Sequence, residues 1–355
     1  MTKNQAAWIT EAKSRPLKVD EASNWKAGAG EVLIKNAAVA INPVDWKIQD
    51  FAGLPLPYPN ILGSDLAGVI EEVGKGVSHL KKGDRVMAFS PSIATGNPAN
   101  GAYQRYTVVP ETLVSPIPDH LPFEQAAVLP LALSTAAAAL YEDKNFNLPL
   151  PTATADGSGT ANGTNENKGT IIIWGAAGSV GLTAIQLARL SGLRVVGVAS
   201  ARNHDLVKSV GAHEVLDYRA AGIGRDVAAA IAEAGEGRFV GILDAVSSPD
   251  TFSTIDTILN DVVGAPIKVV ALMPIPEGVG RNFVGSHCVS FSIMKPPYEH
   301  IADGLWRKFI PEALARGLIK AKPDPLVVGS GLGSIQDAMD RQKAGVSAQK
   351  IVVTL

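Results

Sequence analysis

Residues 169–200 read GTIIIWGAAGSVGLTAIQLARLSGLRVVGVAS. The unbroken apolar run from Ile171 to Trp174 has the pattern of a strand buried on both faces of a parallel sheet. Gly175, Gly178 and Gly181 follow at once in G-x-x-G-x-x-G spacing. Val180, Ala184, Leu187 and Ala188 then recur at helical intervals, and Gly192 stands where a helix C-terminus favours glycine. Val195 to Ala199 closes the unit as a second strand. Strand, glycine turn, helix and strand make a βαβ unit, whose crossover is expected to be right-handed.

Such a turn has a chemical use. Without side chains, its backbone N–H groups can approach a pyrophosphate closely, and the helix that follows aims its positive end at the same anion. Gly181, one turn into the helix, lets helix and strand lie close together. A glycine triplet alone can be a plain tight turn. Its place between a strand and a helix is what points to a dinucleotide.

The identity of that dinucleotide turns on the end of the second strand. An NAD-selective site carries Asp or Glu about 20 residues past the fingerprint, on the ribose hydroxyls. Here the strand ends in Ser200-Ala201-Arg202-Asn203, and the first acid is Asp205. A hydroxyl, a guanidinium and an amide suit a 2′-phosphate, which favours NADPH. The plainer reading is that Asn203 caps a helix starting near His204 and that Arg202 is a solvated charge. A cap and a phosphate ligand are compatible.

At 355 residues the chain is long enough for two domains, each with its own core. A formal net charge of −2 leaves no footprint for nucleic acid or for an anionic membrane surface. Cys288 is the single cysteine, which excludes an intrachain disulfide framework and a cysteine-rich zinc site. The first residues lack the apolar core of a secretory signal, so a cytoplasmic protein is expected. The most apolar later segment, Ala126 to Leu140, is short for a membrane span and carries Pro130, Ser134 and Thr135. The Asn162-Gly-Thr164 sequon is then a chance match.

Outward from the βαβ unit, both flanks show order. Glu31 to Ile41 reads as a strand leaving through Asn42-Pro43-Val44-Asp45-Trp46-Lys47, where the proline forces a turn or a short helix. Glycine-punctuated β-branched runs between residues 60 and 90 predict a compact, barrel-like β domain. Phe123 to Leu140 predicts a helix broken near Pro130. Residues 147–168, rich in Thr, Ala, Asn and Gly, predict an exposed mobile insertion. Val215 to Tyr218, Gly241 to Val246 and Ile267 to Leu272 read as further parallel strands. Tyr218 either covers an adenosine or simply packs. The loop after Leu272 lies where ligands bind in open α/β sheets. A helix over Trp306 to Arg316, a strand over Pro325 to Val328 and a last strand over Lys350 to Leu355 return the tail toward the first domain.

The stretches NPVDWK (42–47), LGSDLAGVIEEVGKGV (62–77), KKGDRV (81–86), LSTAAAAL (133–140) and GAAGSVG (175–181) together resemble the medium-chain dehydrogenase/reductase superfamily, on its zinc-independent, quinone-oxidoreductase-like branch. The tail resembles fungal dehydrogenases and trans-acting enoyl reductases of secondary metabolism. The resemblance implies an α/β architecture. It consists of a GroES-like β-barrel catalytic domain, 1–128 with 301–355, and a Rossmann doubly wound parallel-sheet nucleotide domain, 129–300.

In zinc-dependent members of that superfamily the catalytic ligands fall at places that are here Asn42, Ser64 and about Leu131, which cannot replace thiolates and an imidazole. Metal-free alcohol oxidation lacks its Lewis acid. Hydride delivery from NADPH to an enone, an enoyl thioester or a quinone remains feasible. The resemblance places Asn42, Asp45, Lys47 and Thr135 at the active site. Lys47 would face the enolate oxygen or the cofactor phosphate, or else solvent. Thr135 would bond the nicotinamide or the substrate carbonyl, or else its own helix backbone. Cofactor contacts carried over are Val44, Gly175, Ala177, Gly178, Ser179, Val180, Gly181, Ser200, Arg202, Asn203, Tyr218, Ala271 and Leu272. The expected partner is a small-molecule substrate, free or as a carrier-bound enoyl chain, in a monomer or homodimer. The alternative is a non-catalytic NADPH-binding partner, structural or regulatory, of a biosynthetic complex.

Overall fold

The computed structural model describes residues 3–53, 55–152, 169–235, 238–260, 262, 266–280 and 282–355. Most of the expected insertion, 153–168, lies outside the described residues. Two compact units emerge. One comprises Met1–Leu131, Trp306–Arg316 and Ala321–Leu355, the other Ala132–Leu305 and Gly317–Lys320.

The first unit is built on β-structure. Strands β1 (Gln5–Ile9), β2 (Lys18–Glu21) and β4 (Asn60–Ile61) form one small antiparallel sheet, in the order β2-β1-β4. The larger sheet has β3 (Glu31–Ala40) at its centre, beside β5 (Asp65–Val73), β6 (Arg85–Phe89), β7 (Tyr106–Pro110) and β8 (Val114–Pro116). The C-terminal strands β15 (Asp324–Ser330) and β16 (Gln349–Thr354) complete it, with β16 antiparallel to β3 through Val352↔Ala40 and Val353↔Val39. The chain's last strand therefore lies next to the strand that leads into Asn42. The alternating apolar residues of β3 (Val32, Ile34, Ala38, Ala40) and of β5 (Leu66, Ile70) are fully buried, as a closed or covered sheet requires. Just past β3, the helix Pro43–Phe51 starts on proline and ends at Ala52, so the strand exit is a short helix rather than a loop.

The second unit is a parallel sheet. Among the described residues it has the order β11-β10-β9-β12-β13-β14, formed by β9 (Thr170–Trp174), β10 (Arg194–Ala199), β11 (Glu214–Asp217), β12 (Phe239–Asp244), β13 (Ile267–Ala271) and β14 (Phe283–His287). Chain order reverses at β9, the topological switch point of doubly wound sheets. One face is covered by the helices Ile223–Ala234 and Pro249–Asn260. There Val227, Ile231, Ile255 and Leu259 pack on Ile172, Val196, Ile242 and Val269. The helix Ser179–Leu190 is buried along most of its length, because Leu182, Ala184, Ile185, Leu187 and Ala188 are all fully covered.

Three expectations change. The helix expected over Trp306 to Arg316 begins earlier, at Glu299–Ala302, widens to a π-helix over Asp303–Phe309 and resumes as Ile310–Ala315. Pro311 has no N–H to donate, and a wider turn before it accommodates that loss. The strand expected to reach Val246 stops at Asp244, and Ser247 takes a left-handed backbone with φ of 54°. The apolar segment near Pro130 is longer than read. Phe123–Tyr141, at 19 residues, is long and apolar enough to cross a membrane, yet most of it is buried inside the fold. A core helix passes the same test.

Candidate active site and cofactor cradle

Within the second unit, β9 runs into Gly175, whose φ of 75° few other residues adopt. A Cβ on Gly181 would stand 2.4 Å from the Gly175 carbonyl oxygen and 2.8 Å from Ala176 Cα. Helix and turn are thus in backbone contact. Gly178 differs, since an added Cβ would meet only the Gly175 oxygen, at 3.4 Å. Its side faces open space. Gly178 is also the N-cap of the helix Ser179–Leu190, so the N–H groups of Ser179, Val180 and Gly181 have no partner within the helix. Together these form an anion cradle with a bare floor, which fits a dinucleotide pyrophosphate.

The other expected contacts line the C-terminal ends of the same strands. After β10, the buried Ser200 leads into a short 3₁₀ turn, Ala201–Asn203, with Arg202 exposed. Asn203 Nδ2 donates to Ser200 Oγ at 3.2 Å. The amide therefore turns back on the serine and does not cap the helix His204–Ser209 through its side chain. Tyr218, past β11, is 42% exposed, and the Arg219 guanidinium lies over its ring at 5.3 Å. Ala271 is buried at the end of β13, and the next backbone N–H, of Leu272, donates to Ser247 Oγ at 2.7 Å.

That last bond belongs to a latch that the sequence did not reveal. Asp244, fully buried at the end of β12, accepts from Val246 N and Ser247 N at 3.0 Å each and from Thr251 Oγ1 at 2.6 Å. Burial raises its carboxyl above the usual range, and those three hydrogen bonds act against the rise. Ser247 Oγ also donates to the Asp244 carbonyl. The exits of β12 and β13 are thereby tied together, leaving Val246 and Met273 with 50% and 45% of their surfaces open.

Within the first unit, a second constellation gathers where β3, β5 and β16 meet. Asn42 and Asp45, the first and fourth residues of NPVDWK, are both buried. Asp45 Oδ2 accepts from the Asn42 backbone N–H at 2.7 Å and from the Tyr103 hydroxyl at 2.7 Å. Asn42 Nδ2 donates to Asp65 Oδ2 at 2.8 Å, while Asn42 Oδ1 accepts from Lys350 Nζ. Lys350 Nζ also lies 2.9 Å from Asp65 Oδ2, and Asp65 Oδ1 accepts from Leu131 N at 2.5 Å. Asp65 is fully buried and Lys350 only 4% exposed. Val44 and Lys47 sit on the same helix as Asp45 but are half-buried, with Lys47 Nζ 5.8 Å from the Trp46 ring centroid. Thr135 belongs to the second unit, half-buried on the helix Pro130–Tyr141. Its carbonyl accepts from Cys288 Sγ at 3.8 Å.

Asp45 has one oxygen, Oδ1, buried with no hydrogen-bond partner. Burial is the main reason its carboxyl rises from 3.8 to about 6. The Tyr103 and Asn42 hydrogen bonds oppose the rise, the Asp65 charge adds to it, and Lys350 works against it. A folded-state value above the unfolded one means that the fold binds this proton more tightly. The associated stability is fully present below 3.8 and is lost as pH rises through about 6. Wild type should therefore lose on the order of 3 kcal/mol relative to Asp45→Asn between acidic and neutral pH. Urea unfolding of both proteins across that range checks this, and a constant difference between them would contradict it.

Asp65, Tyr103 and Lys350 were not singled out by sequence reasoning. An acid inside the otherwise apolar LGSDLAG and a lysine at the head of KIVV were the available signals, but neither names its partner. The places the resemblance assigned to metal ligands hold an amide (Asn42), a hydroxyl (Ser64) and an alkyl chain (Leu131). Among the described residues no group of three or more His, Cys, Asp or Glu side chains could hold a metal ion. These residues do not fit a zinc ion.

A model of the alcohol dehydrogenase GroES-like domain matches residues 28–119, and one described as zinc-binding dehydrogenase matches residues 179–275. The chain is 41% identical to the trans-enoyl reductase himH of Aspergillus japonicus, covering 99% of this chain and 97% of that protein. It is 37% identical to the dehydrogenase orsE of Emericella nidulans over the full length of both. Among solved structures, an alcohol dehydrogenase superfamily protein from Novosphingobium aromaticivorans matches with a TM-score of 0.76 at 24% identity, covering 99% of each chain. The CurK enoyl reductase matches with a TM-score of 0.71 at 19% identity, again covering 99% of each. At those identities the structures speak for the fold.

Proposed function

Because this chain belongs to the medium-chain dehydrogenase/reductase superfamily, as an enoyl-reductase-like oxidoreductase, we propose that it reduces an activated carbon–carbon double bond with NADPH and without a metal. The observation that carries the reading is the Gly175–Gly181 turn, a side-chain-free anion cradle at the switch point of a parallel sheet. Bound there, NADPH supplies a hydride for an electron-poor carbon. The first-turn N–H groups of Ser179, Val180 and Gly181 hold the pyrophosphate. Ser200, Arg202 and Asn203 receive the 2′-phosphate. The open apolar surface of Val246 and Met273, fixed by the Asp244–Ser247 latch, suits a nicotinamide ring. Thr135, in the same unit as the cradle, is the candidate for bonding the nicotinamide or the substrate carbonyl, and no general acid is assigned.

Relatives named as trans-enoyl reductases favour an enoyl group over a quinone as acceptor. The test is loss of nicotinamide absorbance on mixing purified protein with NADPH and a panel of enoyl thioesters, enones and quinones. Turnover of enoyl thioesters is expected. Inactivity on every member, with cofactor bound, counts against the reading and favours the non-catalytic partner.

The 2′-phosphate assignment makes its own prediction. Arg202→Ala should weaken NADPH binding about 10- to 100-fold, the size of one lost charge-assisted hydrogen bond. NADH binding should stay unchanged. Titration calorimetry with both cofactors decides, and an equal effect on the two removes the assignment.

A further inference from the structure

Two of the three positions assigned to a metal's ligands by resemblance, Asn42 and Leu131, are linked through one ion pair, and the third, Ser64, precedes its acid in sequence. Lys350 Nζ donates to Asn42 Oδ1; Asp65, next to Ser64, binds both Lys350 and Asn42 Nδ2; and Leu131 N donates to Asp65 Oδ1. An ion pair this deeply buried is a poor device for stability alone, since desolvation costs several kcal/mol per ion and apolar residues of similar volume often do as well. Orientation is what it provides. An ammonium only donates and a carboxylate only accepts, so the Asn42 amide can lie one way only, its oxygen on Lys350 and its nitrogen on Asp65. The Asn42 backbone N–H is in turn held by Asp45. The first turn of the helix Pro43–Phe51 is thereby fixed from both sides.

We infer that Lys350 is a positioning residue for the proposed reduction: its ammonium is a built-in cation at the seat where a metal would otherwise stand, and through Asn42 it sets the helix that carries Val44 and Lys47. The inference rests on the proposed reaction, and it has two readouts. The first is Lys350→Met/Asp65→Asn, which removes both charges together. If the pair orients the site, this variant keeps a melting temperature near wild type while kcat falls about tenfold or more and the NADPH Kd changes less than about threefold. A folded double variant with wild-type kcat overturns the inference, because the pair is then merely structural. The second readout uses wild type alone, dialysed against zinc or cobalt(II) and then against metal-free buffer. Mass spectrometry should find no retained metal, and one equivalent of either overturns the inference even if the double variant fails to fold. If wild type reduces nothing on the substrate panel, the proposed reaction fails, and the metal measurement still decides who occupies the seat.

Discussion

Gly178→Ala and Gly181→Ala, the same change three residues apart, should separate cofactor binding from folding. At Gly181 a new methyl group would press into the Gly175 carbonyl oxygen at 2.4 Å and Ala176 Cα at 2.8 Å. Both are backbone atoms of a turn already held by Gly175 N and Ala176 N on the Val198 carbonyl, so neither can swing aside. Alanine gains up to about 1 kcal/mol in helix propensity, but overpacking of this kind costs about 1–3 kcal/mol or more. The clash wins, and the melting temperature should drop by several degrees, about 2–4 °C per kcal/mol. At Gly178 the backbone is extended, with φ of −77°, and the nearest atom is at an ordinary 3.4 Å. Alanine fits the fold there, at a cap cost of well under about 2 kcal/mol. Its methyl group nevertheless occupies the space over the turn that the pyrophosphate must enter. Gly178→Ala should therefore melt close to wild type while binding NADPH at least about tenfold more weakly. Scanning fluorimetry and calorimetry on both variants give the answer. Unchanged NADPH affinity in folded Gly178→Ala would remove the phosphate from this turn, and most of the named cofactor contacts with it.

Why this turn could be read in advance, and the polar cluster could not, is a matter of sequence distance. The apolar run, the glycines and the helical repeat lie within about 30 consecutive residues, the span of one βαβ unit. Each signal is local, and the strands Thr170–Trp174 and Arg194–Ala199 fall within a residue of where the pattern puts them. Asn42 and Asp45 stood out because of the motif that holds them. Their partners did not, since Asp65 is 23 residues from Asn42, and Lys350 is 308 residues away. Lys350 heads an apolar run, where a lysine ordinarily reaches out to water. It is buried because β16 lies between β15 and β3, a fact of topology that no window of sequence contains. Asp244 escaped notice similarly. Read as a strand residue, it is the acceptor that shapes the turn after the strand, and the left-handed Ser247 beside it is not a glycine, so the usual signal for such a backbone was missing.

Removing only the lysine should be far more damaging than removing the pair. In Lys350→Met, Asp65 keeps the hydrogen bonds from Asn42 Nδ2 and Leu131 N but loses its countercharge at a position with no solvent access. An uncompensated buried charge costs about 3–5 kcal/mol, a large part of the 5–15 kcal/mol or so by which ordinary domains are stable. Asn42 Oδ1 loses its donor in the same step, which adds about 1 kcal/mol or more. The lysine variant is accordingly expected to melt at least about 10 °C below wild type near neutral pH, or to accumulate as insoluble protein. Adding Asp65→Asn should restore most of the difference, since an amide tolerates burial without a countercharge. Thermal melts of the two variants near neutral pH measure this directly. A single Lys350→Met variant as stable as wild type at neutral pH would mean that the ammonium does not sit between Asp65 and Asn42 in solution. The constellation around the first turn of the Pro43–Phe51 helix would then have to be redrawn.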